Sequence, residues 1–375
     1  MKKVCFLNGH LILREHKTGV HYFHELVTKK IIENKINYDP VVAYFNNDES
    51  KKAIKKEANQ WISPYCKTQP GWLRIFSYLL PIELFFGRND VYFCDGLFPI
   101  CFHKSLRICL VHDLMVNIYP ENYSTIKKLY LKHFFRKLPK ADLVICVSET
   151  TKKDVIKYYN VDPKHIVVCY NGVNLNNNAN LLPKRISNDI DLSCRYLFYL
   201  GDMRKNKNLP GTIGGFLRFC EKNQVEDLYF YVAGKKNDDY QNVLEIIKKS
   251  DYGNHVIFLG YISDTEKDLL YQNCESVVLT SFYEGFGMPI VEGMNYYKPV
   301  ITSNCSSMKE VGEGAVVLAD PNNIDDICRA VEDVYFGRFQ VDREKYNTKL
   351  SLYNFDTVSQ VINNSIDRLL ESKNK

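Results

Sequence analysis

The residues best suited to chemistry lie in one string: Ser281-Phe282-Tyr283-Glu284-Gly285-Phe286-Gly287-Met288-Pro289-Ile290-Val291-Glu292. It follows an apolar run, Ser276–Thr280, and opens a helical pattern. Gly285 and Gly287 let the backbone approach a ligand closely. Pro289 suits the first helical position, where its missing N–H is not needed. N–H groups around Phe286 to Met288 would then face a phosphate or sugar oxygen. Glu284 in the loop and Glu292 on the helix can each accept a vicinal pair of hydroxyls, as a sugar ring presents. The plainer alternative is a glycine-rich turn with two solvated glutamates. Two further groups stand at strand ends. Arg204 and Lys207 lie in a basic cluster that, taken alone, reads as a solvated loop. His112 follows the apolar run Arg107–Val111 and precedes Asp113, which reads as a cap or support.

These groups need a frame. Short apolar runs at Val4–Leu7, Val41–Phe45, Val91–Cys94, Arg107–Val111, Leu143–Val147 and Ile166–Tyr170 alternate with helical patterns such as Tyr22–Asn34 and Ile126–Leu138. An Asn-rich stretch without period follows, and the alternation restarts at Tyr196–Leu200, Leu228–Ala233, Val256–Leu259, Ser276–Thr280, Pro299–Thr302 and Ala315–Leu318. The pattern predicts an α/β fold of two doubly wound parallel sheets. The expected organisation is 1–178, a linker at 179–193, 194–352, and a final helical segment at 353–375. Ligands of such sheets bind outside the strands' carboxyl ends, so the cleft between the two domains is the expected site.

The 375 residues exceed one ordinary core, and 45% hydrophobic content can fill two. A net charge of +5 is too mild for a nucleic-acid binder and suits anionic small molecules or lipid surfaces. The 12 cysteines are scattered singly, without a C-x-x-C pair, and read as buried free thiols in a reducing compartment. No signal peptide and no stretch of about 20 apolar residues is visible, so a cytoplasmic location is expected, with contact at the inner membrane face left open.

The string around Glu284 resembles the E-G-F-G-x-P-x-x-E signature of the retaining family-4 glycosyltransferases, which have the GT-B architecture of two facing Rossmann-like domains. Gly201-Asp202-Met203-Arg204-Lys205-Asn206-Lys207-Asn208-Leu209, Ala233-Gly234-Lys235, Leu259-Gly260-Tyr261 and Ser303-Asn304-Cys305-Ser306-Ser307 resemble that family's strand ends in matching order. So do Thr18-Gly19-Val20, Val111-His112-Asp113-Leu114, Val147-Ser148-Glu149 and Tyr170-Asn171-Gly172-Val173. The resemblance implies donor binding by Gly19, Arg204, Lys207, Glu284, Gly285, Phe286, Gly287, Met288 and Glu292. Within that set, Glu292 would hold the ribose and Glu284 the hexose. Arg204 and Lys207 would stabilise the leaving diphosphate, and His112 would lie near the donor sugar. Glu284, His112, Arg204 and Lys207 are the expected catalytic set. It also implies a last helix that crosses back to the first domain.

Neither cofactor nor metal is expected. The single Asp-x-Asp, Asp189-Ile190-Asp191, falls in the linker, and no His/Cys cluster shows ligand spacing. The expected partners are a nucleotide-diphosphate sugar, GDP-mannose favoured, and a saccharide acceptor that is lipid-linked, in cell-envelope polysaccharide synthesis. On the acceptor side, Trp72–Leu80, aromatic-rich and with the basic Arg74, reads first as a buried helix or loop of the first core and second as an acceptor contact. The basic segment 126–140 reads equally as a lipid-docking face or as a core-facing helix with a solvated side. A nucleotide-sugar epimerase of the same fold and a catalytically silent partner subunit are the competing readings. The signature speaks against the first, and the presence of Glu284, Glu292 and Lys207 against the second.

Overall fold

A computed structural model of the protein describes residues 1–14, 19–34, 37–174 and 191–372. The chain divides into two compact units, Met1–Gly172 with Tyr353–Lys375, and Val173–Leu352. Most of the expected linker, including Asp189 and Ile190, lies outside the described residues, as do Lys17 and Thr18.

In the N-terminal unit the strands are β1 (Lys2–Phe6), β2 (Tyr38–Asn46), β3 (Cys66–Pro70), β4 (Val91–Cys94), β5 (Leu106–Val111), β6 (Leu143–Cys146) and β7 (Ile166–Val168). They form one parallel sheet in the order β3-β2-β1-β4-β5-β6-β7. In the C-terminal unit, β8 (Arg195–Leu200), β9 (Leu228–Ala233), β10 (Val256–Gly260), β11 (Ser276–Leu279), β12 (Val300–Ser303) and β13 (Val317–Ala319) form a second parallel sheet, ordered β10-β9-β8-β11-β12-β13. β4, β6, β11 and β12 are buried along their whole length. Helices cover both faces of such a sheet, which explains runs that are apolar without alternation. The order reverses between β1 and β4 and between β8 and β11. At a reversal the connections leave to opposite sides, and a crevice opens outside the carboxyl ends.

β3 has no counterpart in the sequence reading. Its residues, CKTQP, are mostly polar because it is an edge strand, placed by pairing Cys66 opposite Val42 rather than by a hydrophobic run. Trp72–Leu80 corrects an expectation. It is a 3-10 helix, Gly71–Tyr78, with Trp72 and Leu79 exposed and only Ser77 fully buried. Apolar composition shows that a segment can be buried, not that any element is there to cover it. All twelve cysteines are free thiols, eight of them buried.

The last helix, Phe355–Ser372, returns to the N-terminal unit and packs on the helix Gly19–Glu33. Val358, Ile362, Ile366 and Leu370 form its buried stripe. Lys30 pairs with Asp356 at 2.8 Å, and the Tyr38 hydroxyl donates to Asn363 at 2.6 Å. Among the described residues no helix is long and apolar enough to cross a membrane.

Ile362 and Ile366 have no exposed surface. Truncating either to alanine is expected to destabilise the N-terminal unit by about 2–4 kcal/mol, through lost burial and the cavity left behind. Urea unfolding followed by circular dichroism checks this. A loss below about 1 kcal/mol would show that the helix is only loosely attached.

Candidate active site

The signature string occupies the carboxyl end of β11, beside β8 at the reversal of the second sheet. Gly287 has φ +95°, which a side chain would strain, and a Cβ there would meet Ile290 at 2.9 Å. This left-handed residue turns the chain into the helix Met288–Asn295. Helix geometry therefore begins at Met288, and Pro289 is second rather than first as expected. The shift costs nothing, because the amide at the second position also lies beyond reach of any intrahelical carbonyl.

Glu284 is buried, and both oxygens of its carboxylate are hydrogen-bonded. The Lys207 ammonium donates to both oxygens, at 2.7 and 2.9 Å, and the Ser281 hydroxyl donates to one at 2.7 Å. The main chain around Glu284 is equally fixed. Its carbonyl accepts from the Ser306 and Ser307 hydroxyls at 2.9 and 2.8 Å. Asn206 clamps the same loop from β8's side. Its amide donates to the Tyr283 carbonyl at 3.1 Å, and its carbonyl accepts from the Phe282 N–H at 2.8 Å. Asn208, in the left-handed region at φ 52°, donates to the Thr280 and Pro321 carbonyls. Gly234 is the close-approach point of this strand end. A Cβ there would lie 2.0 Å from the Gly201 carbonyl oxygen.

Glu292 sits on the helix, with the Tyr271 hydroxyl donating at 2.7 Å and the Lys267 ammonium at 3.5 Å. Burial, followed by the nearby Glu292 charge, pushes the Tyr271 phenol well above its ordinary range, so it remains a donor. Burial lowers Lys267, but the carboxylates of Glu292, Asp264 and Asp268 outweigh it and hold the amine above its usual value. Arg204 stands apart from both clusters, half-exposed and 3.4 Å from Asp202. Gly285, Phe286 and Met288 complete the loop and first helical residue, with Phe286 buried.

The N-terminal unit holds its own cluster at the reversal between β1 and β4. Asp95 follows β4, His112 follows β5, and His24 lies on the helix Gly19–Glu33. His24 Nε2 is 2.8 Å from Asp95 Oδ2, and His112 Nε2 is 3.6 Å from the same oxygen. Asn8 donates to His24 Nδ1 at 3.0 Å, which leaves His24 Nε2 to carry the proton toward Asp95. Burial alone would raise Asp95, yet the bond from His24 and the surrounding imidazoles leave it below its usual value. Burial lowers His112 to about 4, so its ring is neutral near pH 7. Neither of its ring nitrogens has a hydrogen-bond partner among the described residues. Asp113 accepts from the Met115 N–H at 2.8 Å, a supporting role. Gly19 begins the helix that carries His24.

Sequence spacing could not reveal this triad, because its members come from three separate elements. Among the described residues His24, Asp95 and His112 are also the one His, Cys and carboxylate group whose ligand atoms lie within 4.8 Å of one another. The sequence shows no His/Cys cluster at ligand spacing, and this group is assembled by the fold instead. Asn206, Ser281, Ser306, Tyr271 and Lys267 were likewise unassigned, although the first three fall inside strings that the resemblance covers.

Residues 39–177 match the family described as Glycosyltransferase Family 4, and residues 183–349 match Glycosyl transferases group 1. The chain belongs to the family-4 glycosyltransferases of GT-B architecture. This glycosyltransferase is 27% identical to the O-antigen chain mannosyltransferase B of Escherichia coli, over 74% of this chain and 75% of the relative. It is 26% identical to the O-antigen chain mannosyltransferase RfbU of Salmonella typhimurium, over 77% of each. Its fold resembles sucrose-phosphate synthase from Thermosynechococcus elongatus, with a TM-score of 0.74 at 14% identity, covering 99% of this chain and 100% of that one. It also resembles the Anabaena protein HepE in complex with UDP and glucose, with a TM-score of 0.68 at 18% identity, covering 98% and 100%.

Two measurements check this geometry. Lys207→Ala should destabilise the glycosyltransferase by about 1–3 kcal/mol, because it leaves the buried Glu284 carboxylate without its cation, and Glu284→Ala by somewhat less, because Lys207 is only partly buried. The double variant should lose at least about 1 kcal/mol less than the sum. Additive losses in urea unfolding would mean the two residues do not interact. The second test concerns pH. His112 has a folded value below its unfolded one, so the unfolded chain binds more protons and stability falls as pH drops from about 6.5 toward 4. Between pH 7 and 5 this contributes about 2 kcal/mol of loss. His112→Asn should remove that part of the slope, and an unchanged slope would place His112 in a solvated setting.

Proposed function

We propose that this glycosyltransferase moves a hexose from a nucleotide-diphosphate sugar to a saccharide acceptor with retention of anomeric configuration, and that no metal takes part. GDP-mannose is the favoured donor, a lipid-linked saccharide the favoured acceptor, and cell-envelope polysaccharide synthesis the setting. The observation that carries the reading is the Lys207–Glu284 pair at the reversal of the second sheet, beside a glycine-turned helix bearing Glu292. The names of two relatives, O-antigen chain mannosyltransferases, support the mannosyl group and the polysaccharide setting, and the HepE complex with UDP and glucose supports a nucleotide-sugar donor without favouring a base.

The proposed chemistry follows from what each side chain can do. Glu292, already oriented by Tyr271, accepts from the ribose hydroxyls. Glu284 accepts from hexose hydroxyls. With Lys207 on both oxygens and Ser281 on one, it is an oriented acceptor and a poor nucleophile. Retention without a protein nucleophile then requires same-face attack. The bond from C1 to the phosphate oxygen breaks, the acceptor oxygen bonds C1 on that face, and its proton passes to the departing phosphate. Charge builds on the diphosphate as this occurs. Lys207 and Arg204 offset it, which lowers the barrier more than it strengthens ground-state binding. His112, neutral and with unpartnered ring nitrogens, offers one to a sugar hydroxyl.

Thermal unfolding with GDP, UDP, dTDP and ADP, each with and without EDTA, tests this. GDP should raise the midpoint selectively and equally with EDTA, by about 2.7 kcal/mol of linkage at a hundredfold excess over its dissociation constant. Glu292→Ala should weaken that nucleotide by about 1.5–3 kcal/mol, since two hydroxyls lose a charged acceptor. A shift that EDTA abolishes would overturn metal independence. No shift with any nucleotide would overturn the donor assignment.

A further inference from the structure

Among the described residues, the N-terminal unit exposes an apolar ridge that no element of that unit covers. Trp72, Ile75, Leu79, Leu84 and Phe102 are each 60% exposed or more. They lie on three segments tied to one another. The Ile82 N–H donates to the Ile100 carbonyl at 2.7 Å, and the His103 N–H donates to Glu83 at 3.1 Å. The same ridge joins the helix Thr125–Phe135, where the Tyr78 hydroxyl meets that of Tyr130 at 3.3 Å. This helix buries Phe134 and Phe135 against the core, yet turns Ile126 and Leu129 outward, 83% and 67% exposed. Scattered exposed apolar residues are ordinary, but a ridge of this extent on adjoining segments marks an interaction surface.

The charge beside the ridge identifies the partner. Residues 125–140 contain Lys127, Lys128, Lys132, Arg136, Lys137 and Lys140 and no acidic residue. Among the described residues none of these six cations has a carboxylate within ion-pair distance. Their mutual repulsion is felt locally. Burial, followed by neighbouring Lys140, lowers the Lys137 amine. A second copy of the chain docked symmetrically on this face would bring two such helices together, at a cost in like-charge repulsion. A bilayer with anionic headgroups suits both features at once. Aromatic and aliphatic side chains enter the headgroup–acyl boundary while lysines and arginines meet the phosphates.

We propose that the ridge Trp72–Phe102 and the basic helix Thr125–Phe135 form a docking surface for an anionic membrane, holding the enzyme where a lipid-borne acceptor is presented. Binding there needs no transfer chemistry, so this surface and the proposed reaction stand or fall separately.

Flotation of the full chain with vesicles tests it. Phosphatidylglycerol-containing vesicles should capture the protein and pure phosphatidylcholine vesicles should not. Lys127→Glu with Lys128→Glu should lower the partition coefficient at least about tenfold, and raised salt should weaken the wild type in the same direction. Trp72→Ser with Leu79→Ser, both at exposed positions, should release the protein even at low salt. Each variant should keep the far-ultraviolet circular dichroism spectrum and the thermal midpoint of the wild type, which shows that it is folded. Capture equal for wild type and both variants would overturn the proposal. So would a concentration-dependent dimer in sedimentation that the Trp72 and Leu79 substitutions disperse, with no vesicle capture, since the ridge would then serve a second copy.

Discussion

One partly buried ion pair fixes the signature loop of the C-terminal unit in this glycosyltransferase. Lys207 and Glu284 come from loops that follow β8 and β11, 77 residues apart in sequence, and meet at 2.7 Å. A carboxylate taken out of water on a loop would be costly alone. Here the ammonium and the Ser281 hydroxyl satisfy it, and the loop is held from behind by Asn206, Ser306 and Ser307. The backbone is thereby fixed before any ligand arrives. Preorganisation of this kind is what lets fixed charges act on a transition state without reorganising during the reaction.

The same principle recurs in the N-terminal unit with different groups. Asp95 is placed between two imidazoles and directly bonded to one of them. His24 is in turn set by Asn8, which also donates to Thr28. His112 is thus next to a negative charge while burial keeps its ring neutral. Both clusters stand where the strand order of their sheet reverses, because only there do neighbouring strand ends send their loops apart. Two unrelated sets of side chains therefore occupy equivalent places in two sheets.

The apolar ridge and the basic helix follow another logic. The core beneath them is filled by other residues such as Phe86, Phe134 and Phe135, so the outward side chains Ile126, Leu129 and Leu79 add little to it. Most of the other exposed large apolar residues, such as Tyr261, Phe336 and Leu352, stand on separate elements of the C-terminal unit.

The sequence by itself determined the class of fold, the positions of most strands along the chain and the identity of the signature loop. Buried parallel strands are apolar throughout, and a left-handed turn favours glycine, so both leave local traces such as Val91–Cys94 and Gly287. The polar edge strand Cys66–Pro70 left none, because its place depends on its partner, β2. Burial was misjudged at Trp72–Leu80, since an apolar composition suggests a core but does not supply the element that would cover it. The pairs Lys207–Glu284, Tyr271–Glu292 and His24–Asp95 were beyond reach for one physical reason. Their members are 77, 21 and 71 residues apart, and hydrogen bonds over such separations are made by the packing of strand ends and helices rather than by chain spacing. What each of those residues can do chemically was legible in its type; which partner it meets was decided only by the tertiary structure.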